Sequence, residues 1–322
     1  MIKYILKRIL HMIPVIFIIS ICIFGIIKLT PGNPVGSNLD PKATAEERQA
    51  EMERLGYDKP IPVQYYHWLK RSIHGNFGES YIYKKPVSAV ISDFIWNSFI
   101  LNVIVFILAF LISIPIGIVS AVKQYSKTDS FWTLFSLFGI SMPSFFFGLL
   151  LIYAFAVKKQ WFPINGMIDA GSRTTGFARF LEVAHHMVLP AIVLTISSLA
   201  GLVRYTRNGM LDVLNQDYIR TARSKGLKDK VVIYRHAFRN ALIPLVTLLG
   251  FQIPGLFSGA VILESIFGWP GIGRVMVDAI NQRDYNLMMA LMMFFSILTL
   301  IGNLLADVGY ALVDPRVKVE ER

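Results

Sequence analysis

Few polar residues in this sequence lie where they could do chemistry. Two carboxylates, Glu264 and Asp307, sit inside long apolar runs. A charge in such a run is costly and usually faces protein or water. We therefore expect these two residues either to bond across helices or to line a hydrated pathway. Further polar residues in the apolar runs are expected to face the same pathway, namely Asn102, Ser144, Gln252 and Asn303.

The usual signatures of catalysis, nucleotide binding and metal binding do not occur in the sequence. It contains no GxxxxGK[ST] phosphate loop. Residues 268–273 are glycine-rich, but Pro270 interrupts them, so they predict a tight turn and a short re-entrant or interfacial helix. His185 and His186 have no third ligand nearby in sequence, and Cys22 is the single cysteine. We expect no catalytic residue, no metal site and no cofactor in this chain.

A basic segment, residues 204–240, separates two of the apolar runs and carries nine Lys and Arg residues. Within it, residues 216–226 read QDYIRTARSKG and predict a helix of two turns. Asp217 is expected to cap its N-terminus, and Gly226 is expected to end it in the left-handed conformation. A short capped helix in the loop of a membrane protein is a candidate docking element. The alternative is a solvated hairpin without a partner.

The elements that must position these residues are helices in a bilayer. Hydrophobic residues make up 54% of the chain and charged residues 16%, whereas soluble domains have roughly 25% charged residues. Most of the apolar runs reach the ~20 residues that cross the hydrocarbon core, where only a helix satisfies its own backbone. The six predicted spans are residues 9–29, 98–122, 131–157, 188–203, 241–267 and 287–313. Pro143 and Pro254 lie inside two of them and predict kinks.

The distribution of basic residues predicts the orientation of the spans. With the N-terminus inside, the inner segments carry 17 Lys and Arg residues against seven acidic residues, and the outer segments carry 14 against 12. Basic residues in short loops favour the cytoplasmic side. Both termini and residues 204–240 are therefore predicted to be cytoplasmic. The net charge of +11 needs no nucleic-acid partner.

The first outer loop, residues 30–97, is predicted to be helical. Thr44 and Glu47 form a capping box, and Gly56 is expected to end the helix that they begin. A second helix is expected to start at Pro60, and a third, short one at Pro86. The predicted apolar stripe of the second helix consists of Val63, Tyr66, Leu69 and Ile73. This loop is expected either to pack on the bundle as a lid or to contact an extracytoplasmic partner.

Seven segments in order along the chain resemble one family. They are residues 27–34, 55–65, 75–78, 161–164, 217–244, 264–273 and 314–316. The sequence resembles the permease subunits of ATP-binding-cassette importers for oligopeptides and dipeptides. The resemblance covers nearly the whole chain.

The resemblance implies an all-α, polytopic membrane protein with six transmembrane helices and a type I ABC-importer permease fold. Residues 1–97 would form the first span and a small helical extracytoplasmic domain. Residues 98–313 would form a five-span core that contains the coupling loop, residues 204–240. Residues 314–322 would be a cytoplasmic tail. The expected location is the plasma, or inner, membrane of a bacterium or an archaeon.

The resemblance also implies partners. They are a second, similar permease, two cytosolic ATPases that bind ATP and Mg²⁺, and an extracytoplasmic solute-binding protein. The implied ATPase-coupling residues are Asp217, Tyr218, Arg220, Thr221, Ala222 and Gly226. The general importer pattern has Glu-Ala-Ala followed by Gly, but Arg220 and Thr221 replace its first two residues here. A Glu–Arg contact to the ATPase is therefore not expected.

The implied function is to form half of the translocation pathway for oligopeptides or dipeptides, without bond-breaking chemistry. Permeases that resemble this family also serve nickel, glutathione and sugars, so the solute stays open. A secondary transporter would need an intramembrane site for a coupling ion and would often show inverted repeats. A membrane subunit of a redox complex would need cofactor ligands. Neither pattern is seen in the sequence.

Overall fold

The computed structural model describes residues 2–29, 44–56 and 58–313. The fold class is all-α, as predicted, with one hairpin of two-residue strands, β1 (Glu79–Ser80) and β2 (Lys85–Pro86). The helices are α1 (Ile2–Leu29), α2 (Ala45–Leu55), α3 (Ile61–Ile73), α4 (Val87–Val122), α5 (Lys127–Ser141), α6 (Ser144–Leu151), α7 (Gly176–Leu214), α8 (Asp217–Ser224), α9 (Asp229–Val231), α10 (Arg239–Ser258), α11 (Val261–Ile266), α12 (Ile272–Asn281) and α13 (Tyr285–Val313). Two π-helical segments, Ile152–Lys158 and Val232–Phe238, follow α6 and α9.

Among the described residues, four helices are long and apolar enough to cross a membrane, namely α1, α4, α7 and α13. A fifth span is possible if α5 and α6, which meet at a bend, count as one. The fifth predicted span along the chain, residues 241–267, coincides with α10 and α11, and the side chains of residues 243–251 in it are not described. The predicted cytoplasmic tail, residues 314–322, and the start of the outer loop, residues 30–43, lie outside the described residues.

The third predicted span is broken at Pro143 rather than kinked. The axes of Lys127–Ser141 and Ser144–Lys158 differ by 99°. Met142 adopts an extended conformation, with φ −81° and ψ 121°, because the ring of a following proline disfavours the helical region. Pro143 then occupies the N-cap of α6, where its missing N–H costs nothing. Helix α10, in contrast, continues through Pro254 to Ser258.

The bundle is packed through small residues. A Cβ added to Gly117 of α4 would lie 2.6 Å from the Cβ atom of Thr206 of α7, so these helices touch at the backbone. The ring of Pro254 in α10 contacts Gly302 of α13 so closely that no Cβ fits between them. Small residues permit this close approach, which favours helix association in membranes.

The described part of the outer loop contains two helices, as predicted, and the second of them, α3, packs on α1. Thr44 and Glu47 make the predicted capping box, with bonds of 2.8 and 3.2 Å, and Gly56 ends α2 with φ 71°. The predicted stripe of α3 is wrong in part, because Tyr66 is 60% exposed and Ile73 74% exposed. The predicted third helix is not separate, since α4 runs without a break from Val87 to Val122.

The buried face of α3 is turned by about one residue from the predicted stripe. Trp68 of α3 is buried, and Tyr65 lies beside it on the same helix. The rings of both residues contact Phe24 of α1. The Tyr65 hydroxyl lies 2.8 Å from the Ser20 hydroxyl of α1. The face that covers α1 therefore combines apolar area with one polar bond.

Candidate functional site

The predicted coupling segment is a helix, α8, in the described structure. It begins at Asp217 and ends at Ser224, and Gly226 follows with φ 75°, as predicted. The predicted cap is wrong, because Gln216 occupies the N-cap position and makes no side-chain cap bond. Asp217 is instead the first helical residue, where its negative charge interacts favourably with the positive end of the helix dipole.

One face of α8 is buried against its own chain. Ile219 is fully buried and Ala222 is 7% exposed. We call their surroundings the inner cluster: Ile118, Ala121, Met210, Ile219, Ala222, Val232, Ala237 and Ala241. The small side chain of Ala222 lets α8 lie close to the inner cluster.

The opposite face of α8 is exposed. The side chains of Asp217 and Arg220 are 96% and 82% exposed, and the two charged groups lie 3.7 Å apart. Tyr218 is 45% exposed, so about half of its ring surface is not covered by this chain. Thr221 donates its hydroxyl to the carbonyl of Asp217 at 3.0 Å. A rigid helix therefore presents an aromatic ring and charged groups to the surroundings.

Helices on both sides of α8 connect this surface to the bundle. Helix α7 leads into it, and α9, the π-helical segment Val232–Phe238 and α10 lead away from it without a long irregular loop. Val232 and Ala237 are fully buried in the inner cluster. A force on α8 would thus act on packed helices rather than on a slack loop.

Glu264 is the centre of a buried hydrogen-bond network. It is fully buried, and its oxygens accept bonds from the Ser98 hydroxyl at 2.7 Å and the Gly273 amide at 2.8 Å. The amides of Ala260 and Arg274, both at 3.1 Å, complete the set. Ser98 in turn accepts a bond from the amide of Ile272 at 2.8 Å. Of the two predicted roles of Glu264, the structure contains hydrogen bonds to other helices.

The glycines around Glu264 make this geometry possible. A Cβ on Gly271 would collide with the Glu264 carboxylate, and one on Gly273 would lie 2.7 Å from the Cα atom of Val261. Trp269, two positions before Gly271, is fully buried and donates its indole N–H to the carbonyl of Asn97 at 3.0 Å. Residues 268–273 thus form a tight turn before a short helix, as predicted.

The other residues predicted for a pathway are not brought together by direct bonds. Asp307 pairs with Arg8 at 3.1 Å, and Asn102 donates to the carbonyl of Leu256 at 3.2 Å. Ser144 begins α6 and is half-buried, whereas Gln252 and Asn303 are exposed. Among the described residues, no hydrogen bond or ion pair joins two of the six.

A cavity between α4, α5 and α7 was not predicted from the sequence. Its volume is about 290 Å³, and Ser120, Ser136, Arg204 and Asn208 are among its lining residues. Arg207 also lines it and binds Asp129 through two bonds of 2.7 and 2.8 Å, the bidentate geometry that guanidinium groups favour. The available signal was the i, i+3 spacing of Arg204 and Arg207, but the predicted span ended at residue 203.

The buried carboxylate of Asp284 was also not predicted from the sequence. Asp284 is fully buried and accepts bonds from the Ser80 hydroxyl at 2.6 Å and the Tyr81 amide at 2.7 Å. It also caps α13, since its other oxygen accepts the amide of Leu287 at 3.1 Å. Asp284 thereby ties the β1–β2 hairpin to the start of α13.

Comparison with known families decides what kind of protein combines this bundle with α8. The model of the "Binding-protein-dependent transport system inner membrane component" matches residues 113–319. The model of the N-terminal part of such components matches residues 1–114. The chain belongs to this family of inner-membrane permeases. It is therefore a multi-pass membrane subunit of an ABC transporter.

Relatives match the chain over its whole length. It is 44% identical to the oligopeptide transport system permease protein AppB of Bacillus subtilis, over 99% of this chain and 100% of that protein. It is 38% identical to a putative peptide permease protein of Brucella ovis, over the same shares. It is 34% identical to the glutathione transport system permease protein GsiC of Salmonella typhimurium, over 99% of both chains.

A solved structure supports the fold. A chain of the MetNI methionine ABC transporter, in an inward-facing conformation, is similar with a TM-score of 0.53 at 15% identity. The similarity covers 70% of this chain and 97% of that chain. The predicted type I importer permease fold is thereby confirmed.

Proposed function

We propose that this permease imports oligopeptides or dipeptides and forms half of their translocation pathway. The observation that carries the proposal is the 44% identity to an oligopeptide permease over both whole chains. A second, similar permease would supply the other half. An extracytoplasmic binding protein would deliver the solute, and two cytosolic ATPases would provide the driving force.

In this proposal, α8 is the coupling helix. Its exposed face, with Tyr218, Arg220 and Thr221, would dock on an ATPase, and its buried face would pass the movement to the inner cluster. ATP and Mg²⁺ would be bound by the ATPases, because this sequence contains no phosphate loop. Closure of the ATPases would shift the permease from the inward-facing to the outward-facing state, because the closed ATPases would bind the outward-facing state more tightly.

The proposed topology places both termini and residues 204–240 in the cytoplasm and residues 30–97 outside. The support is the excess of basic residues in the short inner segments. Single cysteines at Ser37 and Lys228, in a Cys22→Ser background, test it with an impermeant thiol reagent added from outside. Labelling is expected at the Ser37 position and not at the Lys228 position, and the reverse pattern would refute the topology.

The solute can be identified through the partners. The tagged chain is purified from its native membrane with its complex, and the solute carried by the co-purifying binding protein is identified by mass spectrometry. The complex is then placed in liposomes, and ATP-dependent accumulation of peptides, glutathione and Ni²⁺ is compared. We expect peptides to accumulate. Accumulation of glutathione alone would favour the second candidate, which rests on the 34% identity to a glutathione permease.

The chain alone is expected to lack ATPase activity. The purified subunit, freed of its partners, should show no steady ATP turnover, and turnover should return when the ATPases are added. Turnover by the subunit alone would contradict the assignment of catalysis to the partners.

A further inference from the structure

The loop between the third and fourth spans folds over the start of α7 and assembles three potential metal ligands. A donor atom from each of Asp169, Glu182 and His186 lies within 4.8 Å of the other two. The sequence predicted no metal site, because His186 has no third ligand close to it along the chain. The loop supplies the missing group, since Asp169 approaches from 17 positions before the histidine.

His186 is oriented as a metal ligand would be. It is 6% exposed, and its Nδ1 atom lies 3.1 Å from the carbonyl oxygen of Gly166. A carbonyl can only accept, so Nδ1 carries a proton, and in the neutral ring this leaves the lone pair on Nε2. Nε2 is buried without a hydrogen-bond partner, although it lies 3.4 Å from Oδ1 of Asp169. A buried polar atom left without a partner is costly, and a bound cation would relieve that cost.

The Glu182 carboxylate is held in position by the same loop. One oxygen accepts the backbone amide of Asp169 at 2.9 Å. The other accepts the hydroxyl of Ser172 at 2.8 Å and the hydroxyl of Thr174. Ligating carboxylates and histidines usually have such outer partners, which orient them toward the ion.

We propose that Asp169, Glu182 and His186 bind a divalent transition-metal ion through two carboxylate oxygens and Nε2. Tetrahedral ligands at about 2.0–2.1 Å from Zn²⁺ are separated by roughly 3.4 Å, which matches the distance between Asp169 and His186. The side chain of Asp169 is 78% exposed and free to close the remaining distance to Glu182. One imidazole with two carboxylates favours Zn²⁺ and similar ions over Mg²⁺.

The ion would strengthen the outer side of the bundle. The amide of Gly166 donates to the carbonyl of Phe267 at 2.8 Å, at the end of α11. Gly166 therefore joins His186 on α7 to the turn around Trp269. Metal bound at Asp169 would tie the rest of the loop to α7 and should raise the melting temperature of the chain.

The experiment uses the full chain, purified in detergent and stripped of metal by a chelator. Zn²⁺ binding is measured by calorimetry, and Co²⁺ serves as a spectroscopic substitute. We expect one ion per chain and a rise in melting temperature on adding Zn²⁺. Asp169→Asn and Glu182→Gln should each weaken Zn²⁺ binding by at least about tenfold, the lower end of what outer-partner changes cause.

His185→Asn is the matched control. This neighbouring imidazole bonds to the carbonyl of Trp161 through Nε2 and lies outside the cluster. The control should bind Zn²⁺ as tightly as the unaltered chain. Asp169 is exposed, so Asp169→Asn should keep the metal-free melting temperature and separates ligand loss from misfolding. Absence of stoichiometric binding, unchanged affinity in both ligand variants, or an equal loss in His185→Asn would overturn the proposal.

Discussion

Two regions of the molecule are stabilised by different interactions. One is the buried contact between α8 and the inner cluster, which we call the seat of α8, and the other is the turn between α11 and α12. α8 rests on the inner cluster through Ile219 and Ala222, both apolar. The turn is held by the fully buried Glu264, which binds a hydroxyl and three backbone amides. The first region combines apolar packing with an exposed charged face. The second is a closed hydrogen-bond network.

The difference indicates how the two regions can respond to force. Apolar contacts have no fixed direction, so a packed helix can shift slightly and keep most of its stabilisation. Hydrogen bonds to a buried carboxylate require fixed distances and angles, and each unmade bond is costly. We therefore expect the seat of α8 to transmit movement and the turn around Glu264 to keep its shape during transport.

The largest effect is expected from Glu264→Ala. It leaves the buried amide of Gly273, the partly buried amides of Ala260 and Arg274 and the Ser98 hydroxyl without their acceptor, which should lower the free energy of unfolding by about 3–5 kcal/mol. Thermal unfolding in detergent measures the change. Glu264→Gln is the matched control and should cost less, because its carbonyl oxygen still accepts part of the network. Equal stability of Glu264→Ala and the unaltered chain would remove the contrast between the two regions.

A smaller loss of stability is expected from Ala222→Glu. The longer, charged side chain would be forced against the inner cluster, at about 2–3 kcal/mol for overpacking and desolvation. Solute uptake should be abolished while the spans still insert. Ala222→Ser changes the volume little and should retain uptake. Normal uptake by Ala222→Glu at unaltered expression would show that the seat of α8 has no part in coupling.

Gly226→Ala tests the end of α8. Its φ of 75° strains any residue with a Cβ, and the substitution should cost about 1 kcal/mol. A Cβ there meets no neighbouring atom within 4 Å, so the loss would come from the backbone alone. Gly226→Asn should be milder, because Asn tolerates the left-handed region better. Both are measured by melting temperature and by ATPase stimulation in the assembled transporter.

The smallest effect on stability, within about 0.5 kcal/mol, is expected from Tyr218→Ala, because the ring is half-exposed. Its effect on coupling should be large, with ATPase binding weakened by at least about tenfold if the ring is buried on docking. Tyr66→Ala removes a ring on α3 that is 60% exposed, against 45% for Tyr218, and should leave ATPase binding unchanged. Unchanged binding in Tyr218→Ala would remove this residue from the docking surface.

Several local features could be predicted because their causes lie within a few residues. The capping box at Thr44 and Glu47, the end of α2 at Gly56 and the left-handed Gly226 each follow from short-range backbone bonding. The break at Pro143 was predicted in position but not in size, because the ring decides where a helix is disturbed and its neighbours decide the angle.

By itself, the sequence determined that the chain is a bundle of apolar helices, because a bilayer requires each run to satisfy its own backbone. It also determined the position of α8 between α7 and α10. The tertiary structure alone decided what surrounds each polar residue. Ser98 reaches Glu264 across 166 positions and Arg207 reaches Asp129 across 78. Such pairs depend on how complete helices pack, which no local pattern contains.

The burial of Ala222 and Trp68 was likewise decided by packing. Local periodicity shows that a helix has an apolar side, but the packing of the neighbouring helices decides which residues of that side are buried. The potential metal ligands at Asp169, Glu182 and His186 came together for the same reason, since a loop had to fold back over α7 to join them.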